Sequence, residues 1–180
     1  LENWKKRTKN SEEISRRATM TGTLMHWCIA NKLSAVPVDM ENELPISDWP
    51  ADMEEEIAGR MNQFDRLRLT FGENPVLEHV VHHDTDGEYF AGTTDFRGKI
   101  NGYKSIADWK GSRRINKSYY LQLGAYYIGS LREGYEAERG FIVRLQKTER
   151  EVAEIDKNEL IEYGHGFIDL ARKWHKAKEI

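Results

Sequence analysis

The chain has 180 residues, of which 39% are hydrophobic, and its 27 basic residues against 30 acidic ones give a formal charge of −3. At this length one domain buries roughly 70% of the surface that its unfolded chain exposes, so a core requires neither disulfides nor a structural metal. Charged residues make up 32% of the chain, but an aromatic content of 11% argues against intrinsic disorder. We expect a single globular domain over residues 1–180.

Hydropathy and cysteine content exclude two classes of protein. No apolar run approaches the ~18 residues that would span a bilayer, which argues against a membrane protein. The single cysteine, Cys28, allows neither an internal disulfide nor a four-cysteine zinc or iron–sulfur site. This indicates a reducing, intracellular compartment, the cytoplasm in a bacterial or phage context. Because the chain begins with Leu1, we expect a native N-terminal segment to be missing, and organellar targeting stays open.

The charges are segregated along the chain. Residues 39–56 hold eight acidic residues and no lysine or arginine, whereas residues 97–117 hold seven basic residues and one acidic residue, a local charge of +6. A basic segment inside an acidic protein favours an anionic partner, because local potential steers ligands. A solvated surface loop is the alternative explanation, and charge alone leaves both open.

The first part of the chain is predicted to be helical. Apolar residues at helical spacing predict one helix over 11–33 and a second over 53–71, whose acidic first turn suits the helix dipole. Three of the four prolines fall within residues 36–50, which predicts a loop between the two helices.

From Pro75 onward the apolar period changes to two, which is typical of strands. It predicts three consecutive strands, at 76–81, 88–98 and 104–110. Turns are predicted over 84–87 and at Asn101-Gly102. The remaining predicted elements are a helix over 119–131, a strand over 139–145, and a closing helix that begins with a capping box over 156–159. The sum is an α/β domain.

Asp108-Trp109-Lys110 lies on the third predicted strand, where residues two apart point to the same face. A carboxylate and an ammonium therefore share one surface. The tripeptide is not specific by itself, because a chain of this composition contains about two Asp/Glu-x-Lys matches by chance. A surface ion pair is its ordinary explanation.

Asp95 changes this interpretation, because the Asn101-Gly102 turn folds its strand against the strand of Asp108. Two carboxylates then come side by side. Carboxylates that repel each other are best explained by a divalent cation, Mg²⁺ or Mn²⁺, that both bind through oxygen. The nearby Lys110 would hold or help deprotonate the attacking water.

Two helix faces add candidate residues to this pair. Gly22 and His26 are four residues apart, and the missing side chain of Gly22 is expected to let the helix approach the strands while His26 points at the cation. A lone helical histidine is more often a core or surface residue. Gln122 and Tyr126 share a face directly after the basic loop over 113–117, a layout that suits a phosphate backbone and a stackable base.

Five motifs in this order resemble those of one nuclease family. The motifs are Gly22-x-x-x-His26, Glu78, Gly92-x-x-Asp95, Asp108-Trp109-Lys110 and Gln122-x-x-x-Tyr126. With them, the chain resembles the RecB-type exonuclease branch of the PD-(D/E)xK nucleases over about residues 4–145. The resemblance implies a restriction-endonuclease-like core, with a central mixed β-sheet flanked by helices, in a single nuclease domain. Asp108 stands where many members carry Glu. Some relatives hold an iron–sulfur cluster on four cysteines, which this chain lacks.

The resemblance also implies roles for individual residues. His26, Asp95, Asp108 and the Trp109 backbone carbonyl would bind the metal, and Lys110 would position the attacking water. Glu78 would sit beside them and serve a second ion or the water, which completes the expected catalytic set of Lys110, Asp95, Asp108 and Glu78. The expected DNA-binding residues are Gln122, Tyr126, Arg113, Arg114, Lys117 and Tyr119.

These observations predict a DNA nuclease that depends on Mg²⁺ or Mn²⁺ and has no iron–sulfur cluster. We expect it to act as an exonuclease on single-stranded or duplex DNA ends in replication, recombination or repair. Two alternatives stay open, a structure-specific or restriction-type endonuclease and an inactive nucleic-acid-binding domain. The sequence carries no helicase motif, so a helicase or recombination partner would be a separate protein. No membrane partner is expected, and the oligomeric state is not determined by the sequence.

Overall fold

The computed structural model describes residues 2–35, 51–85 and 88–178. Their elements, in chain order, are α1 (Glu2–Leu33), α2 (Ala51–Asp65), β1 (Val76–Thr85), β2 (Glu88–Ile100), β3 (Tyr103–Lys110), α3 (Lys117–Arg132), β4 (Arg139–Leu145), β5 (Arg150–Asp156) and α4 (Lys157–Lys178). The predicted loop over 36–50 lies outside the described residues, and so does the second half of the predicted turn over 84–87. None of the helices in the described ranges has a stretch long and apolar enough to cross a membrane.

The five strands form one sheet in the order β1-β2-β3-β4-β5. Neighbouring strands are antiparallel except β3 and β4, which run parallel and are connected through α3. The fold is therefore α/β, with a mixed sheet flanked by helices, as the sequence predicts. The parallel pair requires a crossover connection, and α3 supplies it.

Each face of the sheet carries its own hydrophobic core. On one face α1 and α2 cover Trp109, whose ring is surrounded by those of Phe64, Phe71 and Phe96 at centroid distances of 5.9–6.2 Å. On the other face α3 and α4 pack over side chains that alternate with the first set, including Ile106 on β3. Alternation along β3 thus sends Trp109 into one core and its two neighbours, Asp108 and Lys110, toward the opposite face.

Local sequence signals set several element ends. Asn101 and Gly102 have φ angles of 54° and 87°, as the two central residues of the tight turn between β2 and β3 require. The carboxylate of Asp156 accepts the backbone N–H groups of Asn158 and Glu159 at 2.8 and 2.9 Å, while Glu159 accepts that of Asp156 at 3.0 Å. The predicted capping box is confirmed at the start of α4.

The bounds of two helices differ from those predicted. The first begins at Glu2, well before residue 11, and the second ends at Asp65 rather than at residue 71. Beyond Asp65, Phe71 forms a β-bridge with Ile100 and stacks on Phe64 at 5.5 Å. Phe71 lies beyond the helix but fills the same core as Phe64, so the apolar spacing of the helix continues past its end.

Strand β5 was not predicted from the sequence. It is an edge strand with mostly exposed side chains, so it carries little apolar alternation. Its Glu151 and Glu154 pair with Arg144 and Arg139 of β4 at 2.9 and 3.2 Å. Cross-strand ion pairs of this kind replace the apolar pattern by which the other strands were recognised.

The structure tests the predicted packing role of Gly22 and shows where a glycine is required instead. A side chain at Gly22 would meet nothing within 4 Å, so the prediction that Gly22 lets α1 approach the strands is wrong. Gly124 is where backbones do meet, because a Cβ there would overlap the backbone nitrogen of Gly164 on α4. The crossing of α3 and α4 therefore depends on two glycines.

Gly124→Ala should lower the free energy of unfolding by about 1–3 kcal/mol, since neither helix backbone can give way locally. Urea denaturation would measure this loss. Gly22→Ala is the matched control, and because it adds a methyl group in open space within a helix it should stabilise the protein by up to about 1 kcal/mol. Equal stability of Gly124→Ala and the wild type would contradict the proposed helix contact.

Candidate metal centre

The centre forms where the ladder between β2 and β3 ends. The last pair in the register is Phe96 with Ala107, and the same register continued by one residue places Asp95 opposite Asp108. There Asp95 Oδ2 accepts the backbone N–H of Trp109 at 2.6 Å. The side chain takes the place that a backbone carbonyl would hold, and both carboxylates are buried, Asp95 at 4% and Asp108 at 2% exposure. The sequence prediction that the two carboxylates adjoin is consistent with this register.

Asp108 is held in an unfavourable environment for its charge. Burial and the neighbouring Asp95 raise the pKa of Asp108 to about 7, although Lys110 and His26 act in the opposite direction. Lys110 Nζ lies 2.6 Å from Asp108 Oδ2, so the lysine ammonium is the cation beside this buried oxygen. A metal ion bound nearby would further favour the charged form of Asp108.

His26 brings α1 to the same point. Its Nε2–H donates to the Trp109 carbonyl at 3.0 Å, and its Nδ1 lies 3.3 Å from Asp95 Oδ1 and 3.8 Å from Glu78 Oε1. Burial by itself would lower the pKa of His26, but Asp95 and Glu78 raise it to about 10. The imidazole therefore binds its proton tightly between two carboxylates, and a cation at this cluster would compete with that proton.

Glu78 reaches the cluster through an unusual backbone. On β1, Leu77 pairs with Phe96 and His79 with Thr94, but Glu78 between them is left out of the ladder. Its φ is 49°, in the left-handed region, which costs a non-glycine residue about 1–3 kcal/mol. Strain of this kind persists where surrounding structure enforces it, and here it accompanies a carboxylate that lies beside His26.

The residues present fit a divalent cation. Among the described residues, His26, Glu78 and Asp95 form one group whose candidate ligand atoms lie within 4.8 Å of one another. Two carboxylates and one imidazole are a donor set for a hard or borderline cation, and the buried Asp108 carboxylate, paired with Lys110, lies nearby. The donor set does not select one metal. The ligand roles of Asp108 and of the Trp109 carbonyl stay predictions, because Asp108 pairs with Lys110 and the carbonyl accepts from His26.

Lys110 is held by a chain of polar contacts on α3. Its Nζ donates to Gln122 Oε1 at 2.8 Å and lies 4.9 Å from the centre of the Tyr119 ring. Gln122 Nε2 in turn donates to the Tyr126 hydroxyl at 2.6 Å. Burial, followed by the charge of Asp108, raises the pKa of Tyr126 to about 12, so its hydroxyl stays protonated. Gly92 makes this arrangement fit, because a Cβ there would lie 2.5 Å from the Tyr126 ring.

The other predicted DNA-binding residues lie beside this chain. Arg113, Arg114 and Lys117 are exposed, in the loop after β3 and at the start of α3. The Arg113 carbonyl accepts from Arg144 at 3.2 Å, which anchors the loop to β4. The first turn of α3 has no acidic residue, and its N-cap Asn116 makes no side-chain cap. This surface thus presents cations and helix N–H groups together, although DNA binding stays a prediction.

Sequence reasoning missed a buried arginine that supports the loop after Lys110. Arg60 on α2 is 7% exposed and donates to the carbonyls of Gly111 at 3.3 Å and Leu145 at 2.9 Å. Gln146 donates to the same Gly111 carbonyl and to that of Ser112. Its burial could have been predicted from its place in the sequence, because Arg60 lies on the buried apolar face of α2 between Ile57 and Phe64.

Comparisons with known proteins bear on the fold. No protein-family model and no curated protein matches the sequence. The solved structure of a candidate exonuclease from Eubacterium rectale is similar, with a TM-score of 0.54 and 14% sequence identity over 87% of this chain. This chain spans 65% of that protein, and the likeness shows the fold alone. The structure of SSO0001 matches at a TM-score of 0.38 and 19% identity, over 63% of this chain and 60% of that one, and carries no argument.

Asp95→Asn should weaken Mn²⁺ binding by more than about tenfold, because an amide can still accept from the Trp109 N–H but no longer offers a negative oxygen to the cluster. Isothermal titration with Mn²⁺ would measure the change. Asp84→Asn, at an exposed carboxylate of β1, is the control and should bind like the wild type. Unchanged affinity in Asp95→Asn would contradict the metal centre.

Asp108 should also leave a signature in the dependence of stability on pH. Its pKa is about 7 in the folded protein and 3.8 in the unfolded chain, so the folded state binds the proton more tightly. The stability of the wild type in EDTA should therefore fall between pH 4 and pH 7, and Asp108→Asn should lack this component. From pH 5 to pH 8 the unfolding free energy of Asp108→Asn, relative to that of the wild type, should rise by about 2–3 kcal/mol. Parallel stability profiles would contradict the raised pKa.

Proposed function

We propose that this protein is a divalent-metal-dependent deoxyribonuclease that uses Mg²⁺ or Mn²⁺. The observation that carries the proposal is the convergence of His26, Glu78 and Asp95 from three elements beside the Asp108–Lys110 pair. Carboxylates that hold a cation next to a lysine are suited to phosphodiester hydrolysis. In that reaction a cation would polarise the phosphoryl oxygen and offset the negative charge that develops in the transition state. The five ordered sequence motifs support the same assignment.

Each side chain has a definite task in this proposal. His26, Glu78, Asp95 and Asp108 hold the cation, together with the Trp109 carbonyl. Lys110 orients the attacking water, and its ammonium stabilises charge on the scissile phosphate. Gln122 is a positioning residue, because it contacts Lys110 at 2.8 Å and limits where that ammonium can lie.

DNA is the proposed substrate and partner. Arg113, Arg114 and Lys117 would neutralise backbone phosphates, and Tyr119, Gln122 and Tyr126 would contact the nucleotides nearest the centre. An exonuclease acting on DNA ends in replication, recombination or repair is favoured over an endonuclease by the sequence resemblance. The structurally similar protein described as a candidate exonuclease supports the same choice. A helicase or recombination protein would act as a separate partner.

The deciding experiment offers end-labelled linear DNA and closed circular DNA to the purified protein in Mg²⁺, in Mn²⁺ and in EDTA. We expect the linear DNA to be degraded with Mg²⁺ and with Mn²⁺, and to stay intact with EDTA. Lys110→Ala should reduce the rate by more than about a hundredfold, the range typical of removing one electrostatic or acid–base group. Lys176→Ala, an exposed lysine of α4, is the matched control and should cleave normally.

Three outcomes would change the assignment. Cutting of the circle would replace the exonuclease with a structure-specific or restriction-type endonuclease. Full activity of Lys110→Ala would remove the proposed site. DNA binding without cleavage in any divalent ion would leave an inactive nucleic-acid-binding domain.

A further inference from the structure

A cavity of about 310 Å³ opens between β2, α3 and α4, beside the metal centre. Its walls include the rings of Phe90, Tyr119, Tyr126 and Phe167 and the amide of Gln122. None of the described residues that line it is charged. Phe90 and Phe167 are not among the residues of the five sequence motifs, and neither has a role in the nuclease chemistry proposed above.

The lining selects for the chemistry of its occupant. A phosphate in this cavity would find no cation on its walls, whereas a flat, uncharged ring would find aromatic faces on which to stack. Phe90 and Phe167 already pack edge to face, with ring centroids 5.2 Å apart at 73°, so this wall is preformed. The Gln122 amide and the Tyr126 hydroxyl add polar groups suited to the edge of a heterocycle. The volume lies at the lower end of small-ligand pockets, roughly 300–1,000 Å³.

One residue connects this cavity to the metal centre. Gln122 forms part of the cavity wall, and the same side chain accepts the hydrogen bond from Lys110 Nζ at 2.8 Å. A ring seated in the cavity therefore lies one side chain away from Lys110. In a DNA strand whose scissile phosphate lies at the centre, that ring would belong to a nucleotide adjoining the cut.

We infer that this cavity is a base-binding subsite, which takes one unpaired nucleobase of single-stranded DNA next to the bond that is cut. The inference rests on the proposed function and narrows its substrate. A base inside a duplex is stacked and paired, and it would have to leave the helix before it could enter a pocket of this kind. The preferred substrate is then a single-stranded end.

Phe167 provides the first test, because two substitutions there separate the aromatic ring from the apolar bulk of the side chain. Phe167→Leu keeps an apolar side chain but loses the ring, and Phe167→Tyr keeps the ring. On a single-stranded oligonucleotide, kcat/KM should fall about 5- to 100-fold in Phe167→Leu, the range expected for one base–aromatic stack, and stay near the wild-type value in Phe167→Tyr. Tyr103→Leu is the control, since Tyr103 is 44% exposed at the far end of β3 and should leave the rate unchanged.

A substrate series separates stacking from a general loss of structure. An abasic nucleotide is placed at each position near the cut in turn, and the wild type should slow at one position. At that position Phe167→Leu should bring no further loss, because the interaction that it removes is already absent. If the variant and the wild type respond to the abasic series alike, the subsite is overturned.

A binding measurement distinguishes failure of the subsite from failure of the nuclease assignment. Single-stranded oligonucleotides carrying 2-aminopurine are titrated with the full chain in Ca²⁺, and stacking in the cavity should quench the fluorescence at one position. If the wild type cleaves no DNA but Phe167→Leu abolishes this quenching, the nuclease proposal fails and the subsite stands. If DNA is cleaved with no dependence on Phe167 or on the base, the subsite fails and the nuclease proposal stands.

Discussion

The hydrogen bond from the Trp109 N–H to the Asp95 carboxylate is the interaction on which the rest of the centre depends. It closes the end of the β2–β3 ladder with a side chain instead of a backbone carbonyl, at 2.6 Å. One oxygen of Asp95 is thereby fixed, and the other faces His26 at 3.3 Å. Because Trp109 packs in the core between Phe64, Phe71 and Phe96, the bond also ties the centre to this aromatic cluster.

Much of the fold could be predicted because its signals are local. The Asn101-Gly102 turn and the capping box at Asp156 depend on residues a few positions apart, and both are present. The end of α2 and strand β5 could not be predicted for the opposite reason. Phe71 keeps helical spacing while it pairs with the distant Ile100, and β5 is specified by ion pairs to β4 rather than by apolar alternation.

In the candidate centre, too, the placement of some residues could be predicted from the sequence and that of others could not. Spacing along two strands predicted that Asp95 and Asp108 would adjoin and that Lys110 would share the face of Asp108, and the register agrees. The left-handed backbone of Glu78 left no trace in the sequence, since nothing about a glutamate in a strand indicates that it skips its ladder position. Arg60 was also missed. Its pair with Glu56 is an ordinary i,i+4 contact on α2, and the partners that tie it to the loop are backbone carbonyls of Gly111 and Leu145, which any sequence would supply.

The three clustered side chains come from three separate elements, α1, β1 and β2, and Lys110 comes from a fourth. No fragment of the chain that lacks one of these elements can assemble the whole cluster. Ligand geometry therefore arises only after distant segments have docked, which is a slow, non-local step in folding. For the deoxyribonuclease proposed above, this order of events means that a nascent or partly folded chain would lack the complete cluster and would not cleave DNA.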